Sequence, residues 1–136
     1  MDIQLISVDP ITKLATVTMQ PKTVTGIMKL MQVVVLSLLT VPGKDALDPD
    51  KGGGLPELIG MNISVNDSTE IFSEVATRVA KTQAEVIASQ VGLDLIPSEK
   101  LKEIQIVSLD QSQAIDEVAV RLRIINELRQ TSDVVV

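Results

Sequence analysis

Alternation of apolar and polar positions opens the chain. Ile3, Leu5 and Val8 point one way, and further on Leu14, Thr16 and Thr18 alternate with Ala15, Val17 and Met19, the period of two that marks a half-buried strand. Asp9-Pro10 stands between the runs. Asp before Pro favours a turn, so a hairpin is predicted over residues 3–19. Pro21 stops the second strand, and the period then changes. Thr25, Lys29, Gln32 and Thr40 recur at helical spacing through a stretch rich in Val, Leu and Met that ends at Val41. This predicts a helix exposed along one thin polar line. The β-branched run at Val33, Val34 and Val35 lowers its intrinsic propensity, so tertiary packing has to hold it.

Pro42-Gly43 ends that helix. The stretch to Gly60 carries Asp45, Asp48, Asp50 and the consecutive glycines 52, 53 and 54, which is loop chemistry; long ordered loops in small domains are usually functional. Asp67 followed by Glu70 has the form of a helix start, with a carboxylate accepting the first backbone N–H groups. The second helix is predicted to run to about Val91, with an apolar face of Phe72, Ala76, Val79, Ala80, Ala84, Ile87 and Val91. Its polar face is Glu74, Arg78, Lys81 and Glu85, and Gly92 stops it. After Pro97, residues 101–109 read as a strand and 110–116 as a turn. In the last strand Val118, Val120, Leu122 and Ile124 alternate with Glu117, Ala119, Arg121 and Arg123, which predicts one face on the core and one in water.

The order β-β-α-α-β-β predicts an α+β fold, with a small antiparallel or mixed sheet packed against two helices. That sheet is expected to consist of the N-terminal hairpin plus two C-terminal strands. No internal repeat or low-complexity segment is present. The 136 residues fit one domain, typical domains running to roughly 100–200 residues. Its parts are expected to be an N-terminal hairpin at 1–20, a core at 23–127 and a C-terminal tail at 128–136.

Composition sharpens this picture. Hydrophobic residues make up 45% of the chain but aromatics only 1%, Phe72 being the lone aromatic, so the core must be aliphatic. Such an excess implies either a tightly filled interior or apolar surface that a partner covers. The net charge of -6 argues against nucleic acid, because phosphate neutralisation needs a basic face. There is no Cys and no His, which excludes disulfides and thiol or imidazole catalysis. Met1-Asp2-Ile3-Gln4 lacks the basic and apolar regions of a signal peptide, so synthesis in the cytoplasm is expected. Residues 26–41 are interrupted by Lys29, Gln32, Ser37 and Thr40 and fall short of the roughly 18–20 apolar residues of a membrane span.

Catalytic chemistry finds little support. A carboxylate-pair glycosidase usually adds aromatic sugar platforms to its two acids, and one Phe does not supply them. Asp48-Pro49-Asp50-Lys51-Gly52 resembles the start of a calcium loop, but the position of the bidentate acid is held by Ile59. The triple glycine lacks the Lys-Ser/Thr of a phosphate loop, and a close backbone approach or positive φ explains it more simply. Arg121 and Arg123 could hold an anion, yet edge protection is the commoner use of such residues.

One block has a more specific look. An apolar helix ending in Leu39-Thr40-Val41-Pro42-Gly43-Lys44 is followed by Asp48-Pro49 and then by Gly52-Gly53-Gly54-Leu55-Pro56-Glu57-Leu58. This resembles the hallmark of the lysozyme-like baseplate wedge proteins, the sheath initiators of contractile phage tails and related contractile injection systems. The resemblance spans roughly residues 23–127. Two positions depart from it: Ile96-Pro97-Ser98 stands where the family has Glu-Pro-Arg, and Lys44 replaces an acidic residue.

The resemblance implies a structural protein of the virion tail baseplate, assembled in the host cytoplasm and not an enzyme. Its implied role is to dock on the wedge and offer a sheet edge to the first sheath ring. Its implied partners are baseplate wedge proteins, the tail sheath protein and, further out, tube or hub proteins, with neither nucleic acid nor membrane. No catalytic residue, metal or cofactor is expected. Wedge contacts are expected at Leu39, Pro42, Gly43, Gly54, Leu55, Leu58, Pro97 and Glu99. The docking edge for sheath arms is expected at Val118, Val120, Arg121, Leu122, Arg123 and Ile124, because an exposed strand offers unpaired N–H and C=O groups. The apolar terminus 134–136 is also open to pairing with a neighbour. The alternative is a muralytic hydrolase, with Glu99 or Glu103 as acid and Asp110 as second carboxylate.

Overall fold

The computed structural model describes residues 2–17, 23–43, 46–47, 49–56, 68–111 and 118–136. The architecture is α+β: two helices and antiparallel strands arranged as two two-stranded sheets and one three-stranded sheet. The N-terminal strands are short. β1 (Asp2–Ile3) pairs with β4 (Thr23–Val24), and β2 (Ile6–Val8) pairs with β3 (Ala15–Val17). The predicted hairpin is the second of these pairs. Its turn is closed by the Asp9 carboxylate, which accepts the N–H groups of Ile11 and Thr12 at 2.8 and 3.0 Å. Those two bonds hold the Asp9 carboxyl below the usual carboxylate range. The hairpin forms its own sheet and does not extend the C-terminal one.

Helix α1 (Gly26–Leu39) buries Leu30, Met31, Val34, Val35 and Leu38. The thin polar line predicted along it is only partly wet. Gln32 is 2% exposed, and its Oε1 accepts the N–H groups of Leu5 and Ile6 at 2.7 and 3.3 Å. A side chain predicted for solvent therefore pins the N-terminal strands to the helix. No helix among the described residues is long and apolar enough to cross a membrane.

Helix α2 (Ser68–Gln90) follows the predicted limits, but its inward face is turned from the predicted one. Ile71, Val75, Val79, Thr82 and Val86 are buried, while Phe72 is 50% exposed and Ala80, Ala84 and Ile87 face outward. Two apolar stripes run side by side on this helix, and the aliphatic one fits the core.

Pro97–Glu99 forms a single 3-10 turn, after which β5 (Leu101–Gln111), β6 (Val118–Asn126) and β7 (Thr131–Val135) make the three-stranded sheet in the order β5-β6-β7. β5 therefore outlasts its predicted end at Leu109. Leu101, Ile104, Val120, Leu122, Ile124 and Val134 join α1 and α2 in one aliphatic core. The segment expected as a tail supplies β7, which pairs with β6 from Arg121↔Val135 to Ile125↔Thr131.

Candidate functional site

The extra strand overturns the expected docking edge. β6 is the middle strand, paired with β5 on one side and β7 on the other, so Val120, Arg121, Leu122, Arg123 and Ile124 offer no main-chain border, while Val118 pairs with Gln111 of β5 and lies beyond the end of the β7 ladder. Val120, Leu122 and Ile124 are core residues at 1%, 0% and 0% exposure. On the opposite face Arg123 holds Asp133 of β7 with two bonds, Nε to Oδ1 at 2.9 Å and Nη2 to Oδ2 at 3.3 Å. The guanidinium pulls the Asp133 carboxyl below its ordinary range, with smaller help from Arg121 and Lys13, while burial opposes it. Residues 134–136 are likewise taken up within the chain, since the Val136 carbonyl accepts the Val120 N–H and the Val136 N–H donates to the Val120 carbonyl.

The expected wedge-contact residues fall in two places. Leu39, Pro42, Gly43, Gly54 and Leu55 gather where α1 ends. There the Gly53 N–H donates to the Ser37 carbonyl at 3.0 Å, the Gly54 N–H to the Thr40 carbonyl at 2.9 Å and the Gly43 N–H to the Pro49 carbonyl at 2.7 Å. The three consecutive glycines form a strap pressed between the helices. A Cβ on Gly53 would lie within 2.2 Å of the Thr82 hydroxyl and 2.9 Å of Leu38 Cδ1, and Gly52 has φ +120 with the Thr40 carbonyl as close.

The charges predicted as the wet face of α2 grip this strap. Arg78 Nη1 donates to the Gly54 carbonyl at 2.7 Å, Lys81 Nζ to the carbonyls of Asp50 and Gly52 at 2.7 and 2.8 Å, and the Gly52 N–H donates to Glu85 at 3.1 Å. Gly54 is buried, Leu55 and Leu39 are partly buried against the core, Pro42 is half-buried, and Gly43 is the exposed member. Leu58 lies outside the described residues.

Pro97 and Glu99 sit at the other end of α1. Pro97 is exposed, but Glu99 is 8% exposed. One carboxylate oxygen accepts the Gly26 N–H at 3.3 Å, at the first turn of α1, and the other meets Lys29 Nζ at 3.3 Å. The carboxylate caps a helix start, where a negative group is favoured. That makes it an internal anchor in place of the contact group expected, and it engages one of the two acids named for a hydrolase, the other being Glu103.

A different site is assembled by α2 and β5, which run antiparallel along one side of the sheet. Gln90 Oε1 accepts the Leu101 N–H at 2.8 Å and Gln83 Oε1 accepts the Ile104 N–H at 2.9 Å. Beyond Ile104 this cover ends. N–H groups in an antiparallel ladder alternate in direction, so that of Ile106 points outward as that of Ile104 does. Among the described residues no hydrogen bond from outside the ladder reaches the main chain of residues 106–109. The register shifts between Ile106 and Ser108, leaving Val107 as a bulge whose side chain is 43% exposed.

Beside this border lies a groove of about 910 Å³, formed by residues 103–106 of β5 and by Phe72, Ala76, Ala80, Ala84 and Ile87 of α2. Alanine at each outward turn keeps it shallow, and Phe72 and Ile87 mark its ends. Among the described residues, Glu103 is the one charged group in its lining. These α2 residues belong to the apolar face predicted for the helix, which the fold turns outward except at Val79. The available signal was the second apolar stripe, too small in side-chain volume to fill an interior.

Comparison with protein-family models, curated proteins and solved structures finds no match to this chain. The site is therefore read from its own geometry.

Proposed function

We propose that this protein is a structural assembly protein that takes an extended segment of another chain onto the open part of β5, with the segment's alternate side chains lying in the α2 groove. The observation that carries the reading is that the outer border of β5, uncovered from Ile106 to Leu109, meets at Ile106 an apolar groove lined by residues 103–106 and by α2. An added strand gains backbone hydrogen bonds at the border and side-chain contacts in the groove, and needs no reactive group. The groove's alanines suit an aliphatic segment, and Glu103 favours a Lys or Arg on it.

The resemblance of residues 39–58 to sheath initiators points to the tail baseplate as the setting and to a sheath arm as the segment. Gly43 and Pro42, at the opposite end of α1 from Glu99, are then available to a wedge partner.

Ala80→Arg tests this directly. Arginine keeps the helix and fills the groove, so affinity for the arm is expected to fall roughly tenfold to a hundredfold, about 1.4 to 2.8 kcal/mol. In particles built with this variant, tubes and wedges form and sheaths do not. Normally sheathed tails from a folded Ala80→Arg protein would overturn the proposal.

A further inference from the structure

We infer that Gln83 and Gln90 are specificity-determining residues for strand pairing: they close the first half of β5 to a second copy of this chain, leaving only the bulged second half able to accept a partner. The geometry of the two amides supports this. Both project from one side of α2, about two turns or roughly 10.5 Å apart. They meet Leu101 and Ile104, which are separated by about 10 Å of strand. Each places a carbonyl-type oxygen on an N–H that an added strand would otherwise claim, at 2.8 and 2.9 Å.

Gln90 goes further. Its Nε2 donates to the Glu99 carbonyl at 2.9 Å while its Oε1 accepts from Leu101, so one side-chain amide serves as donor and acceptor to the border as a neighbouring backbone would. An exposed strand edge is a template for pairing with an identical chain, and folded proteins cover or bend such edges.

Two further features act in the same direction. Register shifts break the border between Leu101 and Glu103 and again between Ile106 and Ser108, and bulges twist an edge away from flat pairing. On the far side of the sheet the Lys13 carbonyl accepts the Val135 N–H at 2.7 Å. What remains open on β5 is short for a ribbon between two copies, in which the groove would stay empty. It is long enough for a segment that also fills the groove.

The inference concerns pairing with a second copy, so it stands or falls apart from docking of a sheath arm. Its test uses the full chain, with dissociation constants for self-association measured by sedimentation equilibrium. Gln83→Ala combined with Gln90→Ala removes both acceptors without adding apolar bulk. It is expected to tighten self-association by roughly tenfold or more, since freed donors recover their bonds across the new interface. In the associated form the amide of Ile106 is expected to exchange more slowly than in the parent chain. Gln83→Glu keeps an oxygen acceptor and is expected to associate no more tightly than the parent.

An unchanged dissociation constant in the double alanine variant, with its circular dichroism preserved, overturns the inference. So does Gln83→Glu associating as tightly as the alanine variant, or association that leaves Ile106 exchange unaltered. Should the double variant lose its fold, Gln83→Ala alone is read by the same measurements, and no tightening there overturns it equally.

Discussion

The two borders of the three-stranded sheet are each covered in part, and by different means. At β7 the cover is main chain: the Lys13 carbonyl of the hairpin takes the Val135 N–H, and Leu14 bridges to Val135. At β5 the cover is side chain, two glutamine amides reaching from a helix. A backbone cover depends on the path of the chain and tolerates change in side chains. A side-chain cover is set residue by residue, so it can stop partway along a strand, as it does after Ile104. On β7 the main-chain cover is local too, meeting the strand at Val135 among the described residues.

The strongest way to break the comparison is to remove what both borders share. Leu122 is fully buried in β6, so Leu122→Ala should cost about 2 to 5 kcal/mol and lower protection of β5 and β7 amides together in hydrogen exchange. Selective loss on one side would mean that the strands do not depend on a common core. For the same reason a proline at this position would disrupt the sheet itself and not a docking edge.

A smaller effect separates the two sides. Val135→Pro deletes the donor to Lys13 and should cost about 1 to 3 kcal/mol, as an acceptor loses its partner. It should raise exchange at Leu14 and in β7 while leaving Ile104 unchanged. A matching rise at Ile104 would show that the borders are coupled.

The smallest effect comes from pH. The Asp133 carboxyl is held below its ordinary value by Arg123, so its contribution is fully present above the unfolded-state pKa near 3.8. That contribution is lost as pH falls through the lowered folded-state value. Because Arg123 is 41% exposed in its side chain and Asp133 24%, screening limits the contribution to about 0.5 kcal/mol. Asp133→Asn should remove that acid-side loss in a pH series of thermal melts, and a slope identical to the parent's would rule the pair out as its source.

Long periodic elements were legible from the residues. The alternation in 118–124 fixed which face of β6 is buried, and the helical spacing after Asp67 gave the limits of α2. What was lost came from elements whose pattern is short or doubled. Thr131-Ser132-Asp133 is polar, so β7 read as a tail, and without it β6 looked like an edge. On α2 the stripe with Phe72 and the stripe with Val75 are both apolar, and periodicity does not say which one meets the core. Gln32, Gln83 and Gln90 look like solvent-facing residues in any sequence, since their roles depend on backbone groups far along the chain. The candidate site was the least legible part, because it consists of main-chain atoms left over after folding.

Glu99 ties the first turn of α1 to the 3-10 turn that leads into β5, while Asn126 Nδ2 donates to the Ser98 carbonyl from the end of β6. These bonds make a mechanical junction at the foot of the sheet. Tension applied along β5 by a docked strand would be handed to α1 through Gly26 and Lys29, and to β6 through Asn126, rather than peeling β5 away alone. The Gln90 amide and the Glu127 N–H, which donates to the Lys100 carbonyl at 3.1 Å, brace the same junction, so the foot of β5 is held from α1, α2 and β6 together.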